Sequence, residues 1–135
     1  PTFEYISFFK SVYRLPDAWD IVQKADDTDS TIILDAFHNW NSNSTLEDLR
    51  QIPLEKISHY HIDDAACGKP PTTQKDPDRV MIGEGQIDLK AEIAVLKDIG
   101  YDKTVSLELF NAELWEQDPL EVISTGLARM KDLFA

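Results

Sequence analysis

The chain has a single cysteine, Cys67, among its 135 residues, so no internal disulfide can form. A lone thiol suits a reducing compartment, and Cys67 is read as a bystander in a polar loop. No apolar run approaches the roughly 20 residues that a membrane-spanning helix needs. No basic-then-apolar leader opens the sequence either, and a cytoplasmic location is expected. Positive charge is also scarce: 13 Lys and Arg face 25 Asp and Glu, for a net charge of −12. The bases are scattered and form no patch interleaved with aromatics, which argues against a nucleic-acid partner. A polar lead-in is missing too. The chain opens Pro1-Thr2-Phe3-Glu4, without an initiator Met and directly in strand-like sequence, as expected of a fragment or processed piece of a longer protein.

What is present fits one compact domain with a core: 42% hydrophobic residues and 10% aromatics. Short β-type runs alternate with longer helical ones. Residues 3–9 are aromatic and β-branched enough for a strand. Pro16-Asp17 then opens a helix with Ala18, Ile21, Val22 and Ala25 at helical spacing. Thr31-Ile32-Ile33-Leu34-Asp35 reads as a strand buried on both faces, as in a parallel sheet. Ser44 with Glu47 three residues on forms a capping-box signature before Leu46 and Leu49, and Pro53 ends that helix. Residues 56–63 form a third strand, followed by a long irregular stretch, 65–86, of the kind that is functional or mobile. Asp88 caps a helix with Leu89, Ile93 and Leu96 on one stripe and Gly100 as its stop. Residues 104–110 form a fourth strand. Asp118-Pro119-Leu120-Glu121 then starts a last helix with Leu120, Ile123, Leu127, Met130 and Phe134 on its buried face. Four strand–helix units imply parallel strands joined by crossovers. They make either a small open α/β sheet or half of a (β/α)8 barrel, which needs roughly 250 residues when whole.

The informative feature is the position of the polar residues. Each strand carries, at or near one end, a residue able to bind a metal or move a proton: Glu4, Asp35, His61 and Glu108. In parallel α/β folds chemistry gathers at the carboxyl ends of strands. Strand alternation puts His59, His61 and Asp63 on one face, and pairs Ile33 with Asp35 and Ser106 with Glu108. Taken singly, an acid at a strand end is an ordinary helix cap and a histidine an ordinary core residue. Four of them on consecutive strands form a pattern. Three carboxylates and an imidazole meeting at one rim repel one another unless a cation joins them. Mixed nitrogen and oxygen donors suit Mn, Mg, Co or Zn.

Phe3-Glu4, Leu34-Asp35-Ala36-Phe37-His38, His59-Tyr60-His61-Ile62-Asp63-Asp64, Ile82-Gly83-Glu84-Gly85 and Ser106-Leu107-Glu108-Leu109-Phe110 together resemble the successive motifs of the sugar phosphate isomerase/epimerase family, the xylose isomerase-like TIM barrels. That family includes inosose isomerases, hydroxypyruvate isomerases and ketose 3-epimerases. The resemblance runs nearly end to end and implies that residues 1–135 are the C-terminal half of such a barrel, strands five to eight. It implies one divalent metal held by Glu4, Asp35, His61 and Glu108, with Glu4 and Glu108 as acid and base. It also implies substrate contacts from His38 and from Arg79, just before the Gly-Glu-Gly turn. Trp40 and Trp115 are expected above the rim, and His59 one layer below His61.

The expected activity is a metal-dependent isomerisation or epimerisation of a small sugar or keto-polyol. It would proceed by a 1,2-proton shift through an enediolate that the metal stabilises. The rival readings are an endonuclease IV-like metal phosphodiesterase, which needs more histidines and a basic surface, and a non-catalytic half-barrel module. Two open sheet edges are expected to drive association, either as a homo-oligomer or with a missing N-terminal half.

Overall fold

The structure, a computed structural model, describes residues 1–135. Four strands, β1 (Thr2–Phe3), β2 (Thr31–Asp35), β3 (Ile57–Ile62) and β6 (Val105–Leu107), form one sheet in the order β1-β2-β3-β6. Every neighbouring pair is parallel. A second, two-stranded antiparallel sheet joins β4 (Asp64–Ala65) to β5 (Arg79–Val80). Helices α1 (Leu15–Ala25), α3 (Leu46–Arg50), α4 (Leu89–Asp98) and α6 (Pro119–Phe134) lie side by side in that order. Short helices α2 (Ala36–Asn41) and α5 (Ala112–Trp115) follow β2 and β6 directly.

Alternation along the strands sorts the side chains. Ile32, Leu34, Tyr60 and Ile62 are fully buried and pack with Leu15, Ala18, Val22, Leu49, Leu89, Ile93 and Leu96 of the helices. The other face carries Ile33, Asp35, His59, His61 and Ser106, and all but Asp35 are only partly buried. A β-bulge sets this parity. Ile32 pairs with Ile57 but Ile33 pairs with His59, so Ser58 is the extra residue. Its hydroxyl closes the bulge by donating to the Ile32 carbonyl at 3.1 Å.

Several expectations are corrected. The first strand stops at Phe3, not at residue 9, because the following residues find partners on α2. Tyr5 donates its hydroxyl to Asn39, and the Ser7 amide points at Nδ1 of His38 at 3.4 Å. The capping box of α3 is Thr45 with Asp48, one residue later than expected. The Ser44 hydroxyl instead accepts the Leu15 amide at 3.1 Å, tying α3 to the start of α1. The last helix begins on Asp118 as expected, yet Leu120, Ile123 and Leu127 are 73%, 62% and 49% exposed. What packs is Gly126, where an added Cβ would lie 2.4 Å from Leu107, together with Met130 and Phe134. Ile21 of α1 is exposed for the same reason, since its side faces away from the sheet.

The stretch 65–86 is organised. The Asp64 carboxylate accepts the amides of Ala65, Gly83, Gly85 and Ile87 at 2.9–3.1 Å. Gly85 is pressed so close that a Cβ there would sit 2.3 Å from the Ala65 carbonyl oxygen. Gln74 is buried and donates to the carbonyls of Ala66 and Lys69.

One acid is buried away from the rim. Glu92 of α4 is buried and accepts a hydrogen bond from Asn39. Burial pushes its pKa from 4.5 up to about 8, against the opposing pull of the Asn39 bond. The folded chain therefore keeps a proton that the unfolded chain releases above about pH 4.5. Its stabilising effect is complete below that pH and is lost as pH rises through about 8, by roughly 1.4 kcal/mol per pH unit in between. Glu92→Gln keeps an acceptor for Asn39 but cannot ionise. Denaturant unfolding at pH 5 and pH 8 is expected to show a clearly smaller loss of stability in this variant than in the wild type. Equal losses would mean that Glu92 is ionised in the fold.

Candidate metal centre

The parallel register brings the strand-end residues to one point. Asp35 is level with His61, and His61 with Ser106, two residues before Glu108 on the same face. Glu4 follows directly on β1. One donor atom from each of Glu4, Asp35, His61 and Glu108 lies within 4.8 Å of every other. Nδ1 of His61 is their focus: it stands 3.1 Å from Glu4 Oε1, 3.3 Å from Glu108 Oε2 and 3.8 Å from Asp35 Oδ2. Its other nitrogen, Nε2, faces Nε2 of His59 at 3.0 Å.

Asp35 works in two directions. Its Oδ1 caps α2 by accepting the His38 amide at 2.8 Å, which turns Oδ2 toward the cluster. That oxygen also takes Nη1 of Arg79 at 2.8 Å. Arg79 is buried, paired with Asp63 and, through Nε, with Asp76 at 3.3 Å. Its guanidinium lies over the rings of Phe37 and Phe110. Burial alone would raise the Asp35 pKa, but the Arg79 charge and His38 hold it below the ordinary aspartate value. Asp63 shares that arginine from a fully buried position, and desolvation together with Asp35 pushes its carboxyl well above the usual range.

His38 is buried, with both ring nitrogens engaged. Nδ1 meets the Ser7 hydroxyl at 3.0 Å and Nε2 meets Nη2 of Arg79 at 3.1 Å. It therefore reaches the cluster through Arg79. Trp40 is not above the rim: it sits on α2 and lines a groove of about 210 Å³ between α2, α3 and α4. Trp115 is exposed, its indole donating to the Leu109 carbonyl at 3.2 Å. Cys67 is exposed and free, as expected. Asp63 and Asp76 were missing from the sequence-based site; the alternation of β3 after His59 and His61 was the available signal for Asp63.

The donor set suits a divalent cation. Hydrogen bonds to Glu108 and Glu4 outweigh burial and raise the His61 pKa to about 10, so the two glutamates draw positive charge to the ring. Three carboxylate oxygens and one imidazole nitrogen from four neighbouring strands are ligands for a first-row divalent ion or magnesium.

Residues 3–133 match the family described as xylose isomerase-like TIM barrel. The chain belongs to that family. An inosose isomerase of Bacillus licheniformis is 39% identical over 116 residues, 86% of this chain and 41% of that relative. The crystal structure of IolI protein with a bound zinc atom superposes with a TM-score of 0.90 at 34% identity, over 97% of this chain and 47% of that one. An L-ribulose 3-epimerase superposes with a TM-score of 0.76 at 19% identity, over 98% of this chain and 46% of that one, a likeness of fold alone. The chain thus spans less than half the length of each of these proteins.

After loading with Mn²⁺ or Zn²⁺ and desalting, the protein is expected to retain the ion, and His61→Ala to bind it roughly tenfold or more weakly. Elemental analysis and a chelator competition measure this. Equal retention by the variant would place the ion elsewhere.

Proposed function

We propose that residues 1–135 are the C-terminal half, strands five to eight, of a xylose isomerase-like barrel that isomerises or epimerises a small sugar or keto-polyol. The observation that carries this reading is the convergence of Glu4, Asp35 and Glu108 on Nδ1 of His61 at the strand ends. The family membership and the inosose isomerase relatives support the substrate class.

A divalent cation in this cluster would supply Lewis-acid polarisation of a carbonyl and lower the barrier to losing the neighbouring C–H proton. The chain's own residues do the rest. Asp35 is clamped between the α2 amide and Arg79 and acts as a fixed donor. Glu4 and Glu108 are the partly exposed members, with side chains 26% and 30% exposed. They can therefore reach a substrate from two sides. One removes the proton from the carbon next to the carbonyl, and the other returns a proton to the adjacent carbon or to the opposite face of the same carbon. Arg79 and His38, both buried and bonded to each other, hold Asp35 in place from behind the cluster.

In the whole enzyme, Glu108→Gln is expected to abolish exchange of the substrate's α-hydrogen with deuterated solvent, a loss of roughly 10²-fold or more. NMR of the recovered substrate reads the exchange. Full exchange in that variant would remove Glu108 from the proton path.

The half-barrel reading rests on a sheet with unpaired edges at β1 and β6, a partly uncovered inner face, and the exposed stripe of α6. Such surfaces associate. Alone, the 15.4 kDa chain is expected to elute as larger species. Four preceding strand–helix units, fused ahead of Pro1, should convert it to a discrete particle. Light scattering distinguishes the two, and a stable monomer of the chain alone would count against the half-barrel.

A further inference from the structure

His59 is not among the four converging donors, yet it is the hydrogen-bond partner of the far nitrogen of His61, with Nε2 to Nε2 at 3.0 Å. The two rings stand with centroids 4.8 Å apart, inclined at 62°. Two facing nitrogens can share a hydrogen bond only if one carries a proton and the other offers a lone pair. The neighbours decide which.

All three carboxylates face Nδ1 of His61, so Nδ1 is the nitrogen aimed at a cation. An imidazole that ligates through Nδ1 keeps its single proton on Nε2. That proton points at His59, whose Nε2 must then accept. His59 in turn must hold its proton on Nδ1, and Nδ1 lies 3.4 Å from the Ser58 hydroxyl oxygen. Ser58 is suited to accept, because its own proton is committed to the Ile32 carbonyl at 3.1 Å. The bulge at Ser58 therefore anchors a consistent chain of donors: His61 to His59, His59 to Ser58, Ser58 to the β2 backbone. Reversing any one link would set two protons or two lone pairs face to face.

We propose that His59 is a positioning residue of the metal centre: by accepting the Nε2 proton of His61, it fixes that ring with the Nδ1 lone pair turned toward the ion. This rests on the metal centre proposed above. Partners of this kind on ligating histidines orient the ring and make it a better donor, and losing one weakens binding 10- to 100-fold.

The probe is Zn²⁺ alone, with affinity measured by competition against a chromophoric chelator. His59→Leu, which cannot accept, is expected to bind 10- to 100-fold more weakly, with unchanged melting in EDTA. His59→Gln, whose amide oxygen can accept from Nε2, is expected to recover most of the affinity. A second measurement needs no substitution. Long-range ¹H–¹⁵N correlation on the zinc-loaded wild type is expected to show His61 protonated at Nε2 and His59 at Nδ1. If the wild type takes up no zinc, the metal centre falls and this role with it. If the wild type binds zinc while a folded His59→Leu binds equally well, or His59 carries its proton on Nε2, the role of His59 is refuted and the centre stands.

Discussion

The crowding of three carboxylates around one imidazole nitrogen is the constraint that organises this molecule. Two unit charges about 4 Å apart repel by roughly 4 kcal/mol at the effective dielectric of a partly buried site. Three such pairs rival the whole stability of a typical domain, about 5–15 kcal/mol. A cluster of that kind persists only if its surroundings supply positive charge and hydrogen-bond donors. Here they do: His61 at the centre, Arg79 pressed against Asp35, and the His38 amide on the remaining Asp35 oxygen. Acids gathered in this way at neighbouring strand ends are suited to receiving a cation.

Much of the local architecture serves to hold that arrangement. The bulge at Ser58 brings His59 level with Ile33 and His61 level with Asp35, on the face away from the helices. Were β3 paired one-to-one from Ile57 onward, with Ser58 opposite Ile33, both histidines would turn into the core. The loop after β3 is pinned by one carboxylate, Asp64, which gathers four backbone amides. Arg79 enters on β5, which pairs with β4, so the anchoring of this loop fixes the depth of its guanidinium. Phe37 and Phe110 hold the guanidinium plane from α2 and from the end of β6. The site is thus supported from three successive strand–helix units.

The strand ends were legible because period-2 runs and polar termini are local signals. Asp35, His61 and Glu108 could be placed on one rim from parity alone. The N-caps Asp88 and Asp118 were legible for the same reason. Three features depended on distant partners and were not. Residues 5–9 look like strand, but Tyr5 and Ser7 find their hydrogen bonds on α2, 31 to 34 residues away. Arg79 was expected to contact substrate, and only the fold brings Asp35, Asp63 and Asp76 around it. On α6, Leu120, Ile123 and Leu127 have the spacing of a core stripe, yet the sheet meets Gly126 instead.

That last mismatch bears on the site itself. A helix with two apolar stripes can meet two neighbours, and here one stripe is packed and the other exposed. The same asymmetry appears among the converging donors. Asp35 and His61, on the two central strands, are 0% and 12% exposed, whereas Glu4 and Glu108, beside the edge strands β1 and β6, are 26% and 30% exposed. Water at the edges weakens electrostatic attraction, so an ion held here is bound most tightly from the centre of the sheet and least from its flanks. Further strands paired to β1 and β6 would dry the two glutamates together. In the proposed chemistry these are the groups that move protons, and removing water around them would strengthen their electrostatic interactions with an ion and a substrate. In the proposed half-barrel the four strands thus carry the donors, while closure by the other half would determine how strongly they act.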